Sequence, residues 1–320
     1  METNNLTFEQ MKKNAFALLR KRKYNEGTSL LQDAVTRFPD NFPGVAFQLV
    51  LYNVMAGKLD KAVDVFEMGM QKKVPFPVWP GTMPFAKLES DERFAKLMEA
   101  NRQLQAELSA AAKPDVLVQT PANYSEGKSC PLFIALHHWN TNAAAFSKFW
   151  RSPKAAGEYI VAFIQSSQVV AHQGFAWSDY QKGREDIKTI YQDIKSRYPV
   201  ESRPVVIGGF SQGGMMAIDA AVNNVIPAAG FAVLQPGGDL PADFTLENVR
   251  EAAERGLRGT IITSKKDFSF PLQKQMEKVF NDAQMDFRFV VKFSFGHGMI
   301  FGVPKQVDKA LAHIEKGLGK

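Results

Sequence analysis

At 320 residues, with 45% hydrophobic and 22% charged side chains, the chain has material for about two domains of roughly 150 residues each, and its composition excludes a disordered or low-complexity protein. Lysine and arginine exceed aspartate and glutamate by 39 to 33, a spread-out surplus of +6. Its densest run, Arg20-Lys21-Arg22-Lys23, reads as a solvated helix end rather than a nucleic-acid surface.

The longest nearly apolar stretch, Val45 to Gly57, carries Gln48 and Asn53 and is shorter than the roughly 20 residues of a membrane-spanning helix. The amino terminus lacks a basic head followed by an apolar run, so no secretory signal is expected. Cys130 is the single cysteine, which leaves no intrachain disulfide and no thiolate metal cluster. A cytoplasmic protein without a membrane span is the expectation.

Apolar residues recur at helical spacing in the first third of the chain. Helices are predicted over Phe8–Arg22, Tyr24–Phe38, Val45–Ala56 and Leu59–Lys72. A surface loop with Pro75, Pro77, Pro80 and Pro84 follows, then a long polar helix from Asp91 to Ala110. Tyr24, Gly27, Leu31 and Ala34 share their spacing with Leu59, Ala62, Phe66 and Gly69, 35 residues on. Small residues at two of these places let helices approach, and the period resembles the tetratricopeptide repeat; a plain antiparallel bundle is the alternative. Residues 1–113 are therefore expected to form an all-α helical-hairpin domain, a surface for self-association or for a protein partner.

From Pro114 the pattern alternates. Strands are predicted at Val116–Gln119, Leu132–Leu136, Tyr159–Ile164, Val205–Gly208, Gly230–Leu234, Gly259–Thr263 and Phe287–Phe293. Helical patterns separate most of them, at Ser178–Tyr198, Gly213–Asn224, Leu246–Arg255, Pro271–Ala283 and Pro304–Gly317. Runs such as Val205-Val206-Ile207 are apolar on both faces, as a parallel sheet covered on both sides requires. Residues 114–320 thus read as a doubly wound, mostly parallel α/β domain, with its reactive groups at the carboxyl ends of the strands.

One such strand runs into Gly209-Phe210-Ser211-Gln212-Gly213 and then an amphipathic helix. A sharp strand-to-helix turn holds a serine hydroxyl exposed but crowds the positions two residues to either side, which glycine relieves. Gly-x-Ser-x-Gly arises by chance in about one chain in ten of this length; the strand before it and the helix after it supply the context that makes it a nucleophile turn.

Such a serine needs an imidazole and an orienting carboxylate. Of five histidines, His297 follows the last strong strand, in Phe293-Ser-Phe-Gly-His-Gly-Met. His313 lies inside a helix, His172 in a loop, and His137 and His138 end an earlier strand. The adjacent pair His137-His138 makes a poor metal site, because neighbours leaving a strand point to opposite faces. Asp267, in the turn after Gly259–Thr263, completes the order Ser211, Asp267, His297; Asp239, one strand earlier, is the second candidate. The amide of Gln212 is one expected oxyanion donor, and the other should come from His138, Trp139 or Asn140. Phe210, Trp139, Trp177 and Phe268 are candidates to line an apolar acyl pocket. The sequence lacks nucleotide-loop, dinucleotide and zinc-helix motifs, so neither cofactor nor metal is expected.

With Gly-Phe-Ser-Gln-Gly-Gly at 209–214, Leu136-His137, Trp177-Ser178-Asp179, Asp267 and Gly296-His297-Gly298, residues from about 114 to 318 resemble the α/β-hydrolase superfamily, in its carboxylesterase/phospholipase and dienelactone-hydrolase-like branch. The resemblance implies a serine hydrolase that cleaves small-molecule carboxylic esters through an acyl-enzyme, with Trp139 as second oxyanion donor. A peptidase, thioesterase or lysophospholipase built on the same triad is the alternative, as is a partner-binding repeat protein with a degenerate hydrolase half. The chain departs from the branch at His138 and Asn140, where glycines are usual.

Overall fold

The computed structural model describes residues 5–79, 83–125, 127, 129–298 and 301–317, with the backbone alone for 202–204; Pro80 and Met299 lie outside the described residues. The chain divides into two compact units, residues 1–111 with 169–174, and residues 112–168 with 175–320.

The first unit contains α1 (Phe8–Arg20), α2 (Tyr24–Arg37), α3 (Ala46–Met55), α4 (Leu59–Gln71) and α5 (Glu92–Ala111), each packed on the next. Thr7 caps α1 through a reciprocal box with Gln10, satisfying two first-turn donors. The repeated small and apolar positions Gly27, Leu31, Ala34, Ala62, Phe66 and Gly69 are all buried. A Cβ on Gly69 would lie 2.3 Å from the ring of Phe76, so glycine there admits an aromatic.

That packing corrects the expectation of a surface loop. Val74 to Pro77 are buried, and Phe76 is fully enclosed. The amide of Asn101 on α5 accepts from Phe76 N at 2.8 Å and donates to Phe76 O at 2.9 Å. A buried polar side chain thereby satisfies an irregular backbone that no helix or strand would pair.

The second unit is built on a sheet of β1 (Asp115–Gln119), β2 (Cys130–Leu136), β3 (Ile160–Gln165), β6 (Val200–Phe210), β7 (Gly230–Leu234), β8 (Arg258–Thr263) and β9 (Asp286–Val291), in the order β1-β3-β2-β6-β7-β8-β9. Within this sheet only the β1–β3 pair is antiparallel among the described pairings. The hairpin of β4 (Gln168–Ala171) and β5 (Gly174–Ala176), absent from the sequence reading, follows β3.

Side chains alternate between the two faces with the period of two that a strand imposes. Leu132, Ile134 and Leu136 join a core with α8 (Tyr180–Arg197), α9 (Gln212–Val222), α10 (Leu246–Glu254) and α11 (Phe270–Asp282). Phe133 and Ala135 join another with α6 (Ala143–Phe149), α7 (Pro153–Glu158) and α12 (Val303–Glu315). Helices cover both faces, as the uninterrupted apolar strands require.

Register decides what meets at the rim. Leu136 lies opposite Gly209, Phe210 opposite Leu234, Leu234 opposite Ile262 and Ile262 opposite Val290. The carboxyl ends of five parallel strands are therefore level, and the residues that follow each end converge.

Candidate active site

Ser211 stands between β6 and α9 with φ 55° and ψ −123°, a left-handed backbone that L-residues adopt only under constraint. Its N–H donates to Leu234 O at 3.0 Å, and its carbonyl accepts from Met215 N at 3.0 Å and Gly237 N at 3.2 Å. The two flanking glycines are required by contact. A Cβ on Gly209 would lie 2.5 Å from the Gly213 carbonyl, and one on Gly213 2.2 Å from His137 O and 2.4 Å from Leu136 O.

His297 Nε2 is 2.7 Å from Ser211 Oγ, and His297 Nδ1 is 2.8 Å from Asp267 Oδ1. The Asp267 carboxylate also accepts from Ser269 N on Oδ1 and from Gln273 Nε2 on Oδ2, both at 2.9 Å. Burial pushes its carboxyl upward, but the bonds from His297, Ser269 and Gln273, with the charge of His297, outweigh burial and hold it below its ordinary value. An ionised Asp267 keeps the imidazole proton on Nδ1 and leaves Nε2 as the acceptor for the serine hydroxyl. Asp239 is exposed, and its carbonyl accepts from Tyr180 Oη at 2.6 Å; the carboxylate at His297 is that of Asp267.

Two buried glutamines absent from the sequence reading hold this arrangement. Gln235 follows β7 directly, with φ 39°. Its Nε2 donates to Gly296 O at 2.9 Å and its Oε1 accepts from Gly298 N at 2.8 Å, so one side chain grips both neighbours of His297. Gln273 on α11 donates to Pro236 O at 2.8 Å as well as to Asp267, and its Oε1 accepts from Thr263 Oγ1. The place of Gln235 at a strand end was a usable signal; Gln273, inside a helix, offered none.

In the loop after β2 the left-handed residue is Asn140, at φ 55°. Asn tolerates that region, so His138 replaces the usual glycine without having to adopt it. The Asn140 N–H donates to Phe175 O at 2.9 Å, which removes it as an oxyanion donor and leaves His138 and Trp139 as the candidates on this loop. Gln212 opens α9, so its amide is among the first-turn groups that lack an intrahelical acceptor.

Of the proposed pocket residues, Phe210 and Phe268 both pack on His297, with ring centroids 5.1 Å and 4.5 Å away. Trp139 is half-buried. Trp177 needs correction: it is fully buried, and its indole N–H donates to His137 O at 2.9 Å. Its main-chain N–H donates to Gln212 Oε1 at 2.8 Å. Trp177 fastens the β2 end to the serine turn and presents no wall to a substrate.

The remaining histidines separate by environment. His137 is enclosed between its Nδ1 contact with His138 O at 2.9 Å and Ser166 N at 3.3 Å from Nε2, and burial lowers its pKa to about 4. His138 lies among Phe146, Phe149 and Phe210; burial and then the charge of His297 bring it to about 4. His172 is exposed, and His313 is buried 3.3 Å from Asp286. Among the described residues no group of three or more metal-ligating side chains occurs, and no helix is long and apolar enough to cross a membrane.

Comparison with curated protein sequences gives no match. Among solved structures, an uncharacterized protein from Bacillus cereus ATCC 10987 is similar over 97% of this chain and 99% of its own, at 21% identity and TM-score 0.53. The Bacillus cereus carboxylesterase is 15% identical over 67% of this chain and 99% of its own, with TM-score 0.47. Zea mays acyl-protein thioesterase 2 is 18% identical over 64% and 99%, with TM-score 0.46. At 21% identity the likeness to the first of these is one of fold alone. The fold is that of the α/β hydrolases, and residues 179–287 match the model of the phospholipase/carboxylesterase family.

Proposed function

We propose that this chain is a serine hydrolase that cleaves small-molecule carboxylic esters through an acyl-enzyme intermediate. The observation that carries the reading is the unbroken relay of Ser211 Oγ, His297 and Asp267, with links of 2.7 Å and 2.8 Å, on a serine whose backbone is held in a strained conformation. His297 Nε2 takes the hydroxyl proton as Ser211 Oγ bonds to the ester carbon, and Asp267 stabilises the imidazolium formed. The proton then passes to the departing alkoxide. Water, deprotonated by the same nitrogen, releases the acid and restores Ser211. The amides of Gln212 and Trp139 are assigned to the oxyanion, a contribution of about 10²–10³ in rate per donor.

Phe210 and Phe268 beside His297 support an apolar acyl wall. The match to the phospholipase/carboxylesterase family favours an oxygen ester over a peptide. We assign residues 1–113 to a helical domain and 114–320 to the catalytic domain, a division that the two compact units favour. A single cysteine, buried at 130, suits a reducing compartment such as the cytoplasm.

A fluorophosphonate probe tests the reading. Wild type should be labelled and should hydrolyse p-nitrophenyl acetate, and Ser211→Ala should do neither. Equal labelling of both proteins refutes the assignment of Ser211.

A further inference from the structure

Close to the triad the surface is apolar in a way that the reaction does not require. Phe293, Phe295 and Phe301 are 57%, 73% and 61% exposed. The rings of Phe293, Phe295 and Phe301 touch one another at centroid distances of 5.3 Å to 6.0 Å, and Phe268 lies against His297. At about 200 Å² per phenylalanine the three touching rings present roughly 400 Å² of apolar surface to water, within the range of the largest patch that a soluble monomer exposes.

The exposed lysine and carboxylate charges on the same segments have one sign. Residues 264–270, 292–298 and 301–306 carry Lys265, Lys266, Lys292 and Lys305, all exposed. Lys266 Nζ sits 5.3 Å from the Phe293 ring centre. The one carboxylate among these segments, Asp267, is buried under His297. Asp308, one turn further on, is turned away and accepts from Ser152 Oγ and Lys154 N.

We infer that this lysine-rimmed phenylalanine patch docks the protein on an anionic lipid surface. Aromatic rings that enter the acyl boundary, with lysines that reach anionic headgroups, are the parts from which interfacial anchors are made. Near such a surface each lysine adds roughly a fivefold gain in partitioning. A second copy of the chain is the poorer occupant, since a two-fold contact brings the same face against itself and sets lysine against lysine. Docking depends on the surface alone and holds whether or not Ser211 is the nucleophile.

The test is co-sedimentation of the full chain with phosphatidylcholine vesicles, with and without phosphatidylglycerol. Wild type should bind the mixed vesicles at least tenfold more tightly than the zwitterionic ones. Phe295→Ser/Phe301→Ser should lose binding to both, and Lys292→Glu/Lys305→Glu should lose the preference for anionic lipid. Both double variants should keep wild-type turnover of p-nitrophenyl acetate, which shows that they are folded and separates a failed docking surface from a failed esterase. Absence of wild-type binding, or equal binding by the phenylalanine variant, overturns the proposal. So does a wild-type dimer that Phe295→Ser/Phe301→Ser converts to monomer, because a second copy then covers the patch.

Discussion

Asp267→Asn tests the relay most sharply, because every group facing that carboxylate is a donor. His297 Nδ1 and Ser269 N point at Oδ1, and Gln273 Nε2 points at Oδ2. Asparagine brings one acceptor and one donor into the same enclosure. With its oxygen toward His297 and Ser269, its NH₂ meets the Gln273 NH₂, and the Gln273 amide cannot turn over without setting its oxygen against Pro236 O. With its NH₂ toward His297, it faces Ser269 N and forces the imidazole into the other tautomer, which presents N–H to Ser211 and ends its use as a base. In both orientations the charge that stabilises the imidazolium is gone.

A buried donor set against a donor costs about 1–3 kcal/mol, so the folded protein survives with a melting temperature lower by about 5 °C. The wrong tautomer costs about 10⁴ in kcat, about 5.5 kcal/mol at 1.36 kcal/mol per decade. The assay is steady-state hydrolysis of p-nitrophenyl acetate, with Asp239→Asn alongside. Asp267→Asn should lose about four decades of kcat/KM and Asp239→Asn should lose little. A folded Asp267→Asn protein within tenfold of wild type refutes the assignment of the orienting carboxylate.

Gly213→Ala forces a Cβ to within 2.2 Å of His137 O; the serine turn must move, and a shift near 1 Å lowers turnover about 10²-fold, read by kinetics with a thermal melt as control. Gln235→Ala releases Gly296 and Gly298 together. The loosened His297 should lower kcat by about 10-fold to 10²-fold with KM little changed, and a loss confined to KM would count against a positioning role. The pH dependence of stability follows from His137, whose folded pKa of about 4 lies below the ordinary 6.5. Between these values the unfolded chain binds the extra proton, so stability is full above pH 6.5 and falls towards pH 4, by about 3 kcal/mol for this enclosed ring. His138, also lowered to about 4, adds to the loss. His138→Phe, set among Phe146, Phe149 and Phe210, should flatten the profile of urea midpoints between neutral pH and about pH 4; an unchanged profile would refute the contribution of His138.

Local pattern and tertiary arrangement contributed differently. Runs such as Val205-Val206-Ile207 announced a buried parallel strand, and Gly209-Phe210-Ser211-Gln212-Gly213 announced the turn after it, because pleat periodicity and the crowding around a sharp turn are short-range constraints written in neighbouring residues. The short helices α6 and α7 and the β4–β5 hairpin were missed, since segments of three to seven residues carry too little periodicity to register. Trp177 looked like a pocket wall because an aromatic beside polar residues is ambiguous until its neighbours are known; in the fold its indole N–H has a buried carbonyl to satisfy. Val74–Pro77 looked like surface because nothing nearby revealed Asn101, 25 residues away.

Sequence alone thus determined the strand–helix alternation, the serine turn and the set of candidate acids and bases. Only the tertiary structure decided that Asp267 rather than Asp239 meets His297, that Asn140 gives up its N–H to Phe175, and that Gln235 and Gln273 hold the relay. Contacts between residues 30 to 86 positions apart are set by sheet register and helix packing, to which single positions in the chain contribute no local signal.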